Sequence, residues 1–156
     1  QHTMALLDDD RERAEALVEG LESLSHPLDP IVLRARFKAM LAFNEAPDTH
    51  QAIYEKTLAA QPSAFHRGVV GLTYVEHLVL HQHPEAQALF ASLPSPDTWS
   101  ETGTPQHRYA ARWWYLKGHV DPSSAAAALR ESARWFRQAG CVEAAKAAAR
   151  RLHRVL

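Results

Sequence analysis

An alanine-centred phrase returns along this chain at nearly constant intervals, each time at the start of a helical pattern. It stands as Ala14-Glu15-Ala16, Thr49-His50-Gln51-Ala52, Pro84-Glu85-Ala86 and Pro122-Ser123-Ser124-Ala125. Ala16, Ala52, Ala86 and Ala125 are separated by 36, 34 and 39 residues. A period of roughly 34 residues suits helix–turn–helix units, each of which buries its apolar face only against its neighbours. The phrase therefore predicts an all-α chain of about eight helices, paired into about four antiparallel α-hairpins in a right-handed stack.

Local signals agree. A first helix is expected from about Asp8 to Ser25, with Ala14, Leu17, Leu21 and Leu24 spaced three, four and three apart on one face. Asp29-Pro30 starts a second helix, with aspartate as N-cap and proline in the first turn. Its stripe is Leu33, Phe37, Met40 and Leu41. Asp48 opens a third helix that ends near Ala60. Ser63 caps a fourth, over about 63–81, with Phe65, Val69, Leu72, Val75 and Val79 on one side. Pro84 opens a short fifth, with Ala86, Leu89 and Leu93 inward. A loop over 94–104 separates it from a sixth, Pro105 to about Lys117, which is expected to stop at Gly118. Asp121-Pro122 starts a seventh, carrying Ala126, Leu129, Ala133 and Phe136 and ending at Gly140. The eighth carries Val142, Ala145, Ala149, Leu152 and Leu156.

Residues 1–4, Gln1-His2-Thr3-Met4, read as a cloning scar, leaving 5–156 as one domain. A single cysteine, Cys141, excludes an internal disulfide and fits a cytoplasmic setting. No apolar run nears the ~18 residues of a membrane span. Net charge is −1, which predicts no direct contact with nucleic acid. The charge is unevenly spread. Residues 1–28 hold seven acids and two arginines, a net −5, while 130–156 hold seven bases and two acids, a net +5.

Over 107–156, the run Trp114-Tyr115-Leu116-Lys117-Gly118, then Ala125–Leu129, Phe136-Arg137-Gln138-Ala139-Gly140, Glu143-Ala144-Ala145 and Leu152 is similar to tetratricopeptide-like repeats. It most resembles the helical domains of bacterial transcription regulators, the LuxR-type ATP-binding regulators and the bacterial transcriptional activator domain among them. Upstream, Gly71 with Tyr74, Tyr54 with Pro62, and Pro62 with Pro96 follow the repeat at lower density. Residues 29–44 depart from it: the tryptophan and leucine–glycine pair are missing, and Lys38 stands where glycine is expected. The resemblance implies a non-catalytic module that binds a peptide or partner domain and needs no cofactor.

Three clusters could carry function. Arg34 and Lys38 are four apart, as are Arg108 and Arg112, with Arg67 on the helix between. On the first-type helices of a stack they would line the concave side and grip an acidic peptide or partner domain, or else sit solvated and paired with Glu45, Glu55 or Glu76. Tyr109, Trp113, Trp114 and Tyr115 crowd the sixth helix beside a loop bearing Trp99. Tyr109, Trp113 and Trp99 are candidates for a partner groove, with core packing as the alternative. His77 and His81, four apart, have the spacing to share a metal ion with His83, Glu76 or Glu85; helix-end histidines are the alternative. Cys141 begins the last helix as a reactive thiol or a packed one. There is no glycine-rich phosphate loop, G-x-S-x-G elbow or paired-cysteine motif, so an enzyme is not expected. Besides a binding module, the sequence leaves open a self-associating homodimer, joined through its oppositely charged ends, and a small-ligand or metal sensor.

Overall fold

The computed structural model describes residues 30–42, 47–98 and 103–156. Among the described residues every regular element is a helix, so the all-α expectation holds. The α-helices are α1 (Pro30–Ala42), α2 (Pro47–Ala59), α3 (Ala64–Leu80), α4 (Ala86–Ala91), α5 (Thr104–Val120), α6 (Ala125–Gln138) and α7 (Val142–Val155). Short 3-10 turns at Pro96–Thr98 and Pro122–Ser124 precede α5 and α6. The helix expected over Asp8–Ser25 lies outside the described residues. The chain divides into two compact units between Tyr74 and Val75, inside α3.

In the first unit α1 packs on α2. Leu33, Phe37 and Leu41 of the expected stripe are buried, and Ala35 and Ala39 join them. Phe37, Tyr54 and Tyr74 form an aromatic cluster, with centroids 5.7 Å apart for Phe37–Tyr54, 5.6 Å for Phe37–Tyr74 and 4.6 Å for Tyr54–Tyr74. Burial, together with the neighbouring Tyr74 phenol, raises the pKa of Tyr54. Ser63 caps α3 as its sequence position predicts: its Oγ accepts the His66 N–H at 3.2 Å.

In the second unit α4 packs on α5, α5 on α6, and α6 on α7. Alanines make these approaches close. Ala110 and Ala111 of α5, Ala125, Ala128, Leu129 and Ala133 of α6, and Ala145 and Ala148 of α7 are all buried. Ser132 of α6, also buried, donates its Oγ–H to the Ala111 carbonyl at 2.8 Å and so ties α6 to α5.

Gly118 does not end its helix, contrary to the sequence expectation; α5 runs through it to Val120. A Cβ there would lie 3.3 Å from Leu129 Cγ, so the missing side chain admits Leu129 rather than breaking the helix. Gly140 keeps its expected role. It takes φ +76 after α6, its N–H donates to Arg137 O at 3.0 Å, and Cys141 N–H donates to Phe136 O at 2.8 Å. That bond pair is a Schellman ending. At Asp121-Pro122 a 3-10 turn forms before α6. The Asp121 carboxylate accepts the Ser123 and Ser124 hydroxyls at 2.6 and 2.8 Å, which hold its pKa below the usual carboxylate value.

Two stripes shift. In α4, Ala86 and Phe90 are the buried pair, whereas Leu89 and Leu93 are half-buried. In α7, Ala145 and Ala148 form the packed face, and Val142 and Leu156 stand 56% and 75% exposed.

Candidate binding surface

On α5 the residues Arg108, Arg112, Tyr115 and His119 are spaced four, three and four apart, so they share one helix face. The neighbouring register, Tyr109 and Leu116, points into the core; these are 1% and 2% exposed. The stripe, exposed at Arg108 and half-buried at Arg112, Tyr115 and His119, meets the end of α3 through an ion pair. Arg112 Nε donates to Glu76 Oε1 at 2.7 Å, with both side chains partly open to water.

Beyond that pair, Glu76, Val79 and Leu80 of α3 face Tyr115, Leu116 and His119 of α5 across a groove of about 500 Å³. A second hollow of about 420 Å³ continues past Val79 and His119 towards His83 and Pro84. Gln82 lines both. Leu80, on the wall of the first, is 77% exposed.

Gln82 is the non-glycine residue with positive φ among the described residues, at +53. Its N–H donates to Val79 O at 3.1 Å and His83 N–H donates to Leu78 O at 2.8 Å. α3 thus ends in the same Schellman pattern as α6, but with a long polar side chain where glycine normally sits. An L-residue there costs about 1 kcal/mol or more of backbone strain. The strain sits at the edge of the groove.

His119 closes the far end. Its ring centroid lies 5.0 Å from that of Tyr115. Its Nδ1 is 3.0 Å from Arg151 Nη2 of α7. Arginine has only donors, so Nδ1 accepts and the ring proton resides on Nε2. Burial first, and the Arg151 charge second, lower the His119 pKa and favour the neutral ring.

The sequence candidates fall into several places. Arg34 and Lys38 lie on α1 and Arg67 on the opening turn of α3, in the first unit; Arg34 is half-buried, and Lys38 and Arg67 are exposed. Arg67 Nη1 reaches the Gln61 carbonyl at 3.4 Å. Arg108 is exposed and forms no ion pair among the described residues, whereas Arg112 is committed to Glu76.

Tyr109 is a correction. It is a core residue that offers no surface to a partner, because its hydroxyl is drawn inward to donate to the Pro94 carbonyl at 2.6 Å. Burial raises its pKa well above the usual phenol value. Trp113 is half-buried, stacked 5.1 Å from Phe90 and edge-on to Trp114 at 4.9 Å, with Lys117 Nζ 5.7 Å over its ring. These contacts make it packing first. Trp99 lies outside the described residues.

His77 is buried and His81 exposed, their centroids 4.4 Å apart. His83 does not join them; its Nδ1 accepts the Glu85 N–H at 3.2 Å. Among the described residues no three histidine, cysteine or carboxylate side chains gather as a metal site would require. Cys141 occupies the N-cap position of α7, half-buried, with Sγ 4.0 Å from the Ala139 carbonyl.

Leu80, Gln82 and His119 were not singled out by sequence reasoning, and Tyr115 was noted only among the aromatics that crowd its helix. Tyr115 and His119 were open to discovery as the continuation of the Arg108–Arg112 stripe. Leu80 and Gln82 become neighbours of that stripe only through the packing of α3's last turns against α5. No protein-family model, curated protein or solved structure matches this chain.

Proposed function

We propose that this chain is a non-catalytic, tetratricopeptide-like binding module that takes an acidic peptide, or an acidic segment of a partner domain, along α5. The observation that carries this reading is the continuous stripe from Arg108, a cation without an ion-pair partner among the described residues, to an apolar groove flanked by an exposed Leu80. Exposed apolar walls give a partner side chain a place to lose water. The cation gives its neighbouring carboxylate a charge-assisted contact. The succession of α5, α6 and α7, with α7 reaching back to α5 through Arg151 and His119, supports the repeat-like reading.

The spacing gives the proposal a length. Arg108 and Tyr115 are seven residues apart, about 10 Å along a helix axis, which about three extended residues span. A preferred peptide therefore carries one large apolar residue and a carboxylate about three positions away.

An array of short acidic peptides, varied in the distance between a leucine or phenylalanine and the nearest carboxylate, tests this. Selected peptides are then titrated by fluorescence anisotropy at two salt concentrations. The expected preference is for the spaced pair, with binding weakened by salt and by about tenfold in Arg108→Glu. An array with no spacing preference, or unchanged affinity in a folded Arg108→Glu variant, sinks the assignment of this surface.

A further inference from the structure

The second hollow, of about 420 Å³, is lined by polar groups that the α5 stripe does not use. Two histidines reach it from different elements, His83 just after α3 and His119 in the last turn of α5. Each ring has its Nδ1 engaged by a group that can only donate. At His83 the donor is the Glu85 N–H, at 3.2 Å; at His119 it is the Arg151 guanidinium, at 3.0 Å. A neutral ring that accepts at Nδ1 carries its proton on Nε2, so both histidines are N–H donors at Nε2. Neither Nε2 forms a hydrogen bond among the described residues, nor do the side-chain amides of Gln82 and Gln87, which line the same hollow. No acidic side chain is in the lining, and the carboxylate of nearby Asp121 is held by the Ser123 and Ser124 hydroxyls. Val79 and Val120 add an apolar wall.

These donors define what fits. A histidine that binds a metal ion through Nε2 donates from Nδ1, whereas here Nδ1 accepts, so the pair is not the start of a metal site. It is a pair of fixed donors, with two amides able to add N–H groups. A carboxylate answers it, with two acceptor oxygens in one plane. With both rings neutral the lining carries no full positive charge, which suits one negative charge better than a doubly charged phosphate. The Arg151 cation stands behind the His119 ring and polarises its N–H. We infer that this hollow binds a small carboxylate, its oxygens held by the Nε2–H groups of His83 and His119 and a short aliphatic stem laid against Val79 and Val120. The site adjoins the α5 groove at Gln82 but does not rest on peptide binding there.

Two measurements on the full chain test this. Long-range proton–nitrogen NMR of the histidine rings reads their tautomers, and both His83 and His119 are expected with the proton on Nε2. Sodium butyrate is then titrated, with butyramide and butylamine as neutral and cationic controls of the same stem. The expected result is saturable shifts at His83, His119, Gln82 and Gln87 with a Kd on the order of 1 mM. Butyramide binds more weakly and butylamine not at all. Affinity for butyrate falls about three- to tenfold in His83→Ala and in Gln87→Ala, and is unchanged in Arg108→Glu. Circular dichroism verifies folding of each variant. N-acetylalanine distinguishes the sources of the carboxylate: tighter binding of butyrate marks a free acid, and the reverse order marks a chain end, either of which satisfies the donor pair. A proton found on Nδ1 of either ring overturns the inference. So does butyrate without saturable shifts, a control that binds as tightly as butyrate, or unchanged affinity in both folded alanine variants.

Discussion

Replacing Gln82 with glycine should stabilise this protein while weakening its binding. The residue sits at φ +53, where a side chain crowds the backbone by about 1–2 kcal/mol and glycine does not. The two hydrogen bonds of the turn, Gln82 N–H to Val79 O and His83 N–H to Leu78 O, use backbone groups alone and survive the change. Against the gain stands the greater freedom of glycine in the unfolded chain, about 0.5–1 kcal/mol. The net expectation is stabilisation by about 0.5–1 kcal/mol. Gly140 calibrates it from the opposite direction. It occupies the same kind of turn at φ +76, and no atom lies within 4 Å of the Cβ an alanine would bring. The cost of Gly140→Ala is therefore backbone strain less the unfolded-chain freedom that alanine removes, about 0.5–1 kcal/mol. Urea unfolding followed by circular dichroism reads both. Gln82→Ala keeps the strained backbone and should leave stability within about 0.5 kcal/mol. Loss of stability in Gln82→Gly, with Gly140→Ala neutral, would refute the reasoning. If Gln82→Gly is more stable and also binds the selected acidic peptides less well, the strained side chain serves the groove.

Other consequences are equally open to measurement. Gly118→Val should cost about 1–3 kcal/mol by crowding Leu129, and Leu129→Ala about 2–5 kcal/mol by emptying the site. The double variant should cost less than the sum, because valine occupies part of the vacated space; strict additivity in urea melts contradicts the contact. Glu76→Arg and Arg112→Glu should each lower stability by up to about 1 kcal/mol, the pair being part-exposed, and the charge-swapped double variant should recover part of the loss. His119 should titrate below the ordinary histidine value in a proton NMR titration. Its folded pKa is lowered, so its contribution is complete above the unfolded value near 6.5 and declines as pH falls through that value towards the folded one. A midpoint at or above 6.5 contradicts its burial beside Arg151.

Much of the architecture was legible because helix boundaries are written locally. Pro30, Ser63 and Gly140 each mark a helix end through a first-turn proline, a cap or a left-handed turn that needs nothing beyond its neighbours. Gly118 shows where such signals mislead. The same residue type ends a helix at one place and makes room for Leu129 at another, and only the packing of α6 decides which. Tyr109 and Trp113 share a helix face by spacing, yet Tyr109 is drawn inward by the Pro94 carbonyl, a partner fifteen residues away in sequence. The cation half of the candidate surface, Arg108 and Arg112, was visible as a four-residue interval. The groove half was not, because Leu80 and Gln82 border it only once α3 has met α5.

The proposed binding surface is tested most directly by mapping where a peptide lands. Titrating a selected acidic peptide into isotope-labelled protein, followed by amide NMR, should shift Arg108, Tyr115, His119, Leu80 and Gln82 together and at one concentration midpoint. Shifts confined to Arg34 and Lys38 on α1, or scattered over every exposed cation without saturation, would contradict a site built on α5.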